Sequence, residues 1–304
     1  MREIFYLTKR NCLTYFRDRA AVFFSVLSML IVLALMVIFL GRMNSEAVVR
    51  LLAEYGGERD AALDEKNAEY LIQLWTLAGI LAVNSVTVTL TVMGAMVQDE
   101  TTKRILAFYV TPVRRIKLAL GYILSAWLVG TAMCGLTLFA GELYFFLRGH
   151  GFLPAVSLLK LCGMSCAGAF TFSALGYLLA LFVHSDSAWS GLLTIVGTLV
   201  GFAGGIYLPM GSLTEEVQAV LKWLPVLHGA SMLRQTATAE ALADTFAGLP
   251  EAVPEIFREE LGIMVYAGEH CFSTAEQLTI LAAYAIIAIA ASALINRKRR
   301  WKDR

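Results

Sequence analysis

The residues best placed to make specific polar contacts lie in one charged segment, 98–117, which we call the connector because it joins two long apolar runs. The run before it, 74–97, contains no Asp, Glu, Lys or Arg, and the run after it, 118–147, contains only Glu142. The connector therefore offers ion pairs and hydrogen bonds to another protein rather than bond-making chemistry. Its charged side is formed by Asp99, Glu100, Lys103 and Arg104.

The chain lacks the sequence motifs of common enzymes. No G-x-x-x-x-G-K-[ST] phosphate loop, nucleophile elbow or H-E-x-x-H motif occurs, so we expect no nucleotide hydrolysis, no catalytic residue and no metal or other cofactor on this chain. If the protein performs an energy-requiring function, the energy must come from another protein or from another source outside this chain. The histidines are scattered without metal-ligand spacing: His150, His184, His228 and His270.

Few polar side chains interrupt the apolar runs. Glu142 lies one or two turns from the outer end of its run, either as a carboxylate at the headgroup level or as a contact for a cationic substrate at the exit. Asn84, Thr87 and Thr91 share one helix stripe, where they either hydrogen-bond a neighbouring helix or face a polar path. The near absence of charge in these runs argues against an ion-coupled carrier.

A glycine pattern marks the fifth apolar run. Gly197, Gly201 and Gly205 recur at four-residue spacing, which lets another backbone approach closely. The close approach is either between helices of one subunit or at a seam between two subunits. The pair Gly204-Gly205, followed by Pro209, predicts that this helix breaks near the outer surface.

The composition indicates that membrane helices position these residues. The 304-residue chain is 58% hydrophobic and only 16% charged, whereas soluble domains carry about 25% charged residues. About 20 apolar residues cross a bilayer core. We therefore predict an all-α integral membrane protein with six transmembrane helices. The predicted spans are 20–41, 74–97, 118–147, 157–183, 188–208 and 277–296.

The distribution of charge predicts the orientation. Lys and Arg cluster in segments 2–19, 103–117 and 297–304, which lie on one side of a six-span chain. The loops 42–73 and 209–276, on the other side, are richer in Asp and Glu. The positive-inside rule then places both termini in the cytoplasm, and we expect the chain in the cell membrane. No nucleic-acid partner is expected.

Two segments outside the spans are predicted to be helical. Residues 1–19 form an amphipathic helix in the inner interface, which either pairs its cations with anionic lipid or acts as an ordinary basic anchor. The external segment 209–276 begins with a short amphipathic helix that ends at Pro225, followed by another helix and a polar, acidic stretch. The apolar side of the N-terminal helix, 1–19, is formed by Ile4, Phe5, Cys12, Leu13 and Phe16.

The connector is predicted to contain a short helix parallel to the inner surface, within 98–115. Pro112 disfavours the helical region for Thr111, so the helix ends there. With a charged and an apolar side, the helix either sits in a groove of a peripheral protein or is a solvated basic loop.

At this point the connector resembles that of ABC-2-type exporter permeases. That family shows an acidic residue, Gly-Thr, a hydrophobic stretch, then Thr-Pro-aliphatic-x-Arg and a downstream Gly. Thr101 replaces the usual first Gly. The matching residues are Glu100, Thr102, Thr111, Pro112, Val113, Arg115 and Gly121. The layout is similar as well, with a basic amphipathic N-terminal helix, six spans and a broken fifth span.

The resemblance implies one permease domain, 1–304, that pairs with a second identical or paralogous copy and docks two ATPase subunits carrying ATP and Mg. The region 98–115 would be the coupling helix in the ATPase groove, and a hydrophobic or amphiphilic drug, lipid or peptide would be moved outward. The residues then expected at the ATPase contact are Glu100, Lys103, Arg104, Thr111, Pro112 and Arg115.

Two other functions remain open from the sequence. One is an ATP-independent secondary carrier, which transport under ATP depletion would support. The other is a non-transporting scaffold or sensor subunit, which failure to co-purify with any ATPase would support.

Overall fold

A computed structural model describes residues 2–35, 41–55, 60–109 and 113–298 of the chain. Within these ranges the fold is all-α apart from a two-stranded hairpin, which agrees with the predicted fold class. The helices are α1 (Arg2–Arg17), α2 (Arg19–Leu35), α3 (Gly41–Tyr55), α4 (Ala61–Thr101), α5 (Ile105–Tyr109), α6 (Arg115–Leu147), α7 (Ala155–Ala180), α8 (Asp186–Ala203), α9 (Glu215–Leu221), α10 (Pro225–Ala237), α11 (Ala239–Thr245), α12 (Ala252–Glu260) and α13 (Thr274–Lys298).

Five helices of the described ranges are long and apolar enough to cross a membrane: α4, α6, α7, α8 and α13. They correspond to predicted spans two to six. The predicted first span, 20–41, falls on α2 and on 36–40, which lie outside the described residues. The structure therefore supports an all-α membrane protein with at least the five spans found among the described residues, and the predicted first span stays a prediction.

Helix α4 is the central element. Its N-terminus is capped by the Asp60 carboxylate, which accepts hydrogen bonds from the backbone N–H groups of Ala62 and Leu63. Its 41 residues extend roughly 60 Å, about twice the thickness of a bilayer core. It packs against α6, α7, α8 and α10, so both ends of the bundle are organised around one helix.

The segment after α8 is more compact than the predicted polar external stretch. Pro225 does not end a helix but begins α10, where its missing N–H costs no hydrogen bond. Helix α10 packs against α4, α7 and α13, and most of its side chains are buried. The hairpin pairs Tyr266–Ala267 with His270–Cys271 as antiparallel strands β1 and β2.

Candidate functional site

The connector is not one helix in the structure. Helix α4 continues to Thr101, the chain turns through 102–104, and the five-residue helix α5 follows. The break lies at Lys103, whose φ of 58° is in the left-handed region and cannot continue a right-handed helix. Thr111 and Pro112, expected at the ATPase contact, lie outside the described residues.

The described candidates for the ATPase contact differ in accessibility. Lys103 and Arg104 are exposed on the turn, where another protein can reach them. The carboxylate oxygens of Glu100, in the last turn of α4, are shielded from solvent. Arg115 is half-buried and donates a hydrogen bond to the carbonyl of Asn296 at 3.2 Å. Of the described candidates, Lys103 and Arg104 on the turn are therefore the most accessible.

A partly buried ion pair ties the N-terminal helix to the start of the connector. Arg10 donates two hydrogen bonds to the carboxylate of Asp99, at 2.5 and 2.8 Å, and Asp99 is only 3% exposed. The hydroxyl of Tyr122, on α6, donates to the same carboxylate at 2.6 Å. The Arg10 guanidinium also lies 5.2 Å from the centre of the Phe108 ring in α5. This cluster joins α1, α4, α5 and α6.

A second set of contacts holds α1 against α6. The ammonium of Lys117 donates to the carboxylate of Glu3 at 2.8 Å, and this hydrogen bond lowers the pKa of Glu3. Gly121 permits close approach, because a Cβ there would lie 2.7 Å from Cβ of Leu7. Helix α1 is thus fixed to the bundle by an ion pair and by close packing.

The two faces of α1 have different environments. The face that packs on the protein contains Leu7, Thr8, Asn11 and Tyr15. From the predicted apolar side, Phe5, Leu13 and Phe16 are exposed. That side remains available to a membrane surface, while Arg10 is directed to Asp99 instead of to lipid.

The break after α8 is organised by a buried arginine. Gly204 and Gly205 follow the last helical residue, and Gly205 has a φ of 63°. Its carbonyl accepts a hydrogen bond at 3.0 Å from Arg234, on α10. Arg234 also donates to the carbonyl of Leu261 at 3.3 Å and lies 4.3 Å from the centre of the Trp75 ring. One guanidinium therefore bridges α4, the helix break and the end of α12.

Burying the charged side chain of Arg234 costs free energy, because the guanidinium loses its hydration. It is 0% exposed, and no carboxylate pairs with it among the described residues. Burial lowers the pKa of Arg234 to about 9, so the side chain keeps its charge at neutral pH. Its partners are backbone carbonyls and an aromatic face, which carry only partial negative charge. A charge held at this cost is a functional candidate.

The three glycines of the fifth span do not form one packing seam within the chain. A Cβ at Gly201 would overlap the ring of Tyr207, which folds back from the helix break, and Gly205 forms the break itself. A Cβ at Gly197 would meet nothing within 4 Å. Of the three, only Gly197 is open to another helix or to lipid.

The predicted polar stripe of α4 is divided between two environments. The Asn84 amide donates to the hydroxyl of Thr137, on α6, at 2.8 Å, so Asn84 joins two helices. Thr87 and Thr91 donate back to carbonyls of their own helix, and Thr91 is exposed. Asn84 therefore contacts a neighbouring helix of the same chain, whereas Thr91 lies on the surface of the chain, where another molecule can contact it.

Glu142 is buried rather than solvated at the headgroup level. It is 5% exposed, and its Oε2 accepts a hydrogen bond from the backbone N–H of Leu153 at 3.0 Å. Leu153 precedes α7, so the carboxylate joins the end of α6 to the start of the next helix. No cation contacts Glu142 among the described residues.

We expect Glu142→Gln to leave thermal stability nearly unchanged, because the amide oxygen can still accept from Leu153. Glu142→Leu should cost about 1–3 kcal/mol, since it leaves that buried N–H without an acceptor. Unfolding of the two detergent-purified variants, followed by circular dichroism, measures the difference. Equal loss in both variants would show that Glu142 acts through its charge.

Comparison with known proteins identifies the class. A family model described as ABC-2 family transporter protein matches residues 57–294, which is most of the chain. The chain belongs to this family. It is a multi-pass membrane permease subunit of an ABC transporter, and the family implies an ABC ATPase subunit as its partner. No curated protein gives a significant match.

Sequence reasoning missed the residues that organise both ends of α4. Arg10 and Tyr122 were not selected, Asp99 was only part of a charged side, and Trp75 and Arg234 received no role. One signal was available: Asp99 lies at the start of the connector and Tyr122 follows its end closely, so both must lie at the same end of the bundle. Nothing in the local sequence around Trp75 and Arg234 indicates their 4.3 Å contact.

Proposed function

We propose that the chain is the membrane subunit of an ATP-driven exporter that moves a hydrophobic or amphiphilic substrate outward, such as a drug, a lipid or a peptide. ATP and Mg bind to the separate ATPase subunit, and this chain supplies the path and the docking surface. Family membership supports the energy source, and the scarcity of charge in the spans supports an apolar cargo.

The observation that carries the proposal is the cluster of Arg10, Asp99 and Tyr122. A force applied by an ATPase to the exposed turn at Lys103 and Arg104 would act on α4 four to five residues from Asp99. Because Asp99 is bonded to α1 and α6, the push would reach three helices together. We propose that α1, α4 and α6 shift together between two states, and that this shift couples ATP hydrolysis in the ATPase to transport through this chain.

The proposed orientation places the connector and both termini in the cytoplasm, in the cell membrane. The contacts of Arg10 with Asp99 and of Arg115 with Asn296 gather α1, the connector and the end of α13 at one end of the bundle. That end carries the basic segments of the sequence, which supports a cytoplasmic location.

The proposed assembly contains two permease copies with the path between them. Exposed threonines on membrane-spanning helices support such a path, because their hydroxyl oxygens can still accept hydrogen bonds from a substrate or from water. Thr91 of α4 and Thr194 and Thr198 of α8 are exposed, and each bonds only to its own helix among the contacts seen here. Gly197 lies on the same helix with open space beside it.

Charge reversal at the turn tests the docking surface. We expect Lys103→Glu/Arg104→Glu to reduce the amount of ATPase that co-purifies by about tenfold, because like charges that face each other across an interface cost several kcal/mol. The measurement is the ATPase-to-permease ratio after affinity purification of the tagged chain from its host in mild detergent.

The matched control is Lys66→Glu, an exposed lysine at the opposite end of α4. It changes surface charge on the same helix without touching the connector, so the ATPase ratio should stay at the wild-type level. An ATPase that stays bound to the double variant would place docking elsewhere. The absence of any ATPase with the wild type, even after cross-linking, would overturn the proposed function.

A further inference from the structure

A cleft opens between α6, α7 and α13 near the connector end of the bundle. Its volume is about 270 Å³, just below the lower bound of about 300 Å³ for ligand pockets. A cleft of this volume holds part of an elongated ligand, such as one chain of a lipid, rather than a whole one. The walls are largely apolar and include Ile116, Ala119, Ile123, Ile289 and Ala293.

The mouth of the cleft is positively charged. Arg115 and Arg297 both line it, and no Asp or Glu is among the described residues that do so. Arg115 is half-buried and Arg297 is exposed, so the two guanidinium groups flank the opening from different helices. Two cations above an apolar cleft are complementary to an anionic headgroup with an acyl chain.

A buried hydroxyl within the cleft adds an independent observation. Ser292 is 3% exposed, lines the cleft, and its Oγ has no hydrogen-bond partner among the described residues. A buried hydroxyl without a partner costs free energy that a ligand oxygen could recover. Nearby, Asn296 donates to the hydroxyl of Tyr177 at 3.0 Å, so the polar groups of the cleft gather near its mouth.

We propose that this cleft binds an anionic phospholipid of the leaflet at the connector end. Its phosphate lies between Arg115 and Arg297, an ester oxygen accepts from Ser292, and one acyl chain follows the apolar walls. A free anion would use the two arginines but not the walls, and a neutral lipid would use the walls but not the arginines. The combination selects an anionic lipid.

This site gives Arg115 a role other than ATPase contact. Arg115, near the end of the connector, begins α6 and donates a hydrogen bond to a backbone carbonyl at the end of α13. A lipid at Arg115 therefore holds the start of α6 in place. The inference concerns lipid binding alone and does not depend on the proposed export activity.

Native mass spectrometry of the delipidated full-length chain tests the proposal. The probes are phosphatidylglycerol, phosphatidylcholine with the same acyl chains, and glycerol 3-phosphate, which has no chains. Phosphatidylglycerol should bind at least about fivefold more tightly than phosphatidylcholine, and glycerol 3-phosphate should not bind detectably. Arg297→Gln should weaken phosphatidylglycerol binding about fivefold, and Arg115→Gln/Arg297→Gln should remove the preference over phosphatidylcholine.

A cleft-filling variant separates the apolar part of the site from its charge. Ala293→Phe keeps both arginines but blocks the walls, so phosphatidylglycerol binding should be lost. Ala282→Phe is the matched control, because Ala282 is exposed on the same helix and does not line the cleft. Equal melting curves for these two variants exclude misfolding. Equal binding of the two phospholipids, binding of glycerol 3-phosphate, or unchanged binding in Ala293→Phe would each overturn the proposal.

Discussion

Asp99→Leu is expected to lower stability by about 2–3 kcal/mol and to reduce transport by about fivefold or more, while the ATPase subunit stays bound. Removing one partner of a buried pair leaves the other charge uncompensated, which typically costs about 3–5 kcal/mol. The lower estimate applies because the side chain of Arg10 is 35% exposed and keeps part of its hydration. The effect on transport corresponds to the usual size of a coupling free energy.

The physical reason for lost transport is the shared carboxylate. Asp99 accepts from Arg10 and Tyr122 together, so its loss removes the hydrogen bonds that tie α1 and α6 to the end of α4 in one step. The turn at Lys103 and Arg104 remains intact, and docking should persist. The measurements are thermal unfolding in detergent, the ATPase-to-permease ratio, and substrate efflux from cells with ATP supplied.

An apolar replacement of the whole cluster separates stability from coupling. In Arg10→Met/Asp99→Leu/Tyr122→Phe the three charged or polar members of the cluster are removed together, and the buried Oδ1 of Asn11 loses the donor that Arg10 provided. Because no buried charge is left uncompensated, much of the lost stability should return. Transport should stay low, because the oriented three-way bond is absent. Full recovery of transport in the triple variant would mean that the cluster serves stability alone.

The pattern of the sequence predicted the membrane helices well because long apolar runs have few alternative structures. Predicted spans two to six correspond to α4, α6, α7, α8 and α13, and the membrane family is confirmed. The ends of the helices were less predictable. The connector looked like one short helix ending before Pro112, but Lys103 in the left-handed region ends α4 earlier. Nothing about a lysine signals that conformation, which depends on how the turn packs.

Side-chain partners across the bundle were not predictable from spacing. Asn84, Thr87 and Thr91 share a helix stripe, yet only Asn84 reaches another helix, because Thr137 faces it. Glu142 looked like a headgroup carboxylate but is covered by the turn before α7. In both cases the local pattern fixes the face of the helix, whereas the neighbour on that face comes from a distant part of the chain.

At the opposite end of α4, we expect Arg234→Lys to destabilise the chain more than Arg234→Met does. Lysine keeps the buried charge but has neither the planar fork that reaches two carbonyls nor the flat face that stacks on Trp75. The cost should be about 3 kcal/mol or more. Methionine fills a similar volume without a charge, so its cost should be about 1 kcal/mol or less.

The carbonyls explain why methionine is tolerated. Leu261 keeps a hydrogen bond from the Trp75 indole N–H at 2.8 Å, so only the carbonyl of Gly205 loses its donor. Arg148→Lys is the matched control, since Arg148 is 52% exposed and pairs with Glu69 at the surface. It should shift stability by about 0.5 kcal/mol or less.

Transport should fall in both Arg234 variants, because neither can pin the helix break at Gly205 to α10. If Arg234→Met stays stable but loses transport, the buried charge does not help folding. Arg234 would then be kept because transport needs it to hold the end of α8 in place. If Arg234→Met instead unfolds as readily as Arg234→Lys, the two carbonyl hydrogen bonds outweigh the desolvation of the charge. Arg234 would then be a structural clamp, and the break after α8 would need it in order to fold at all.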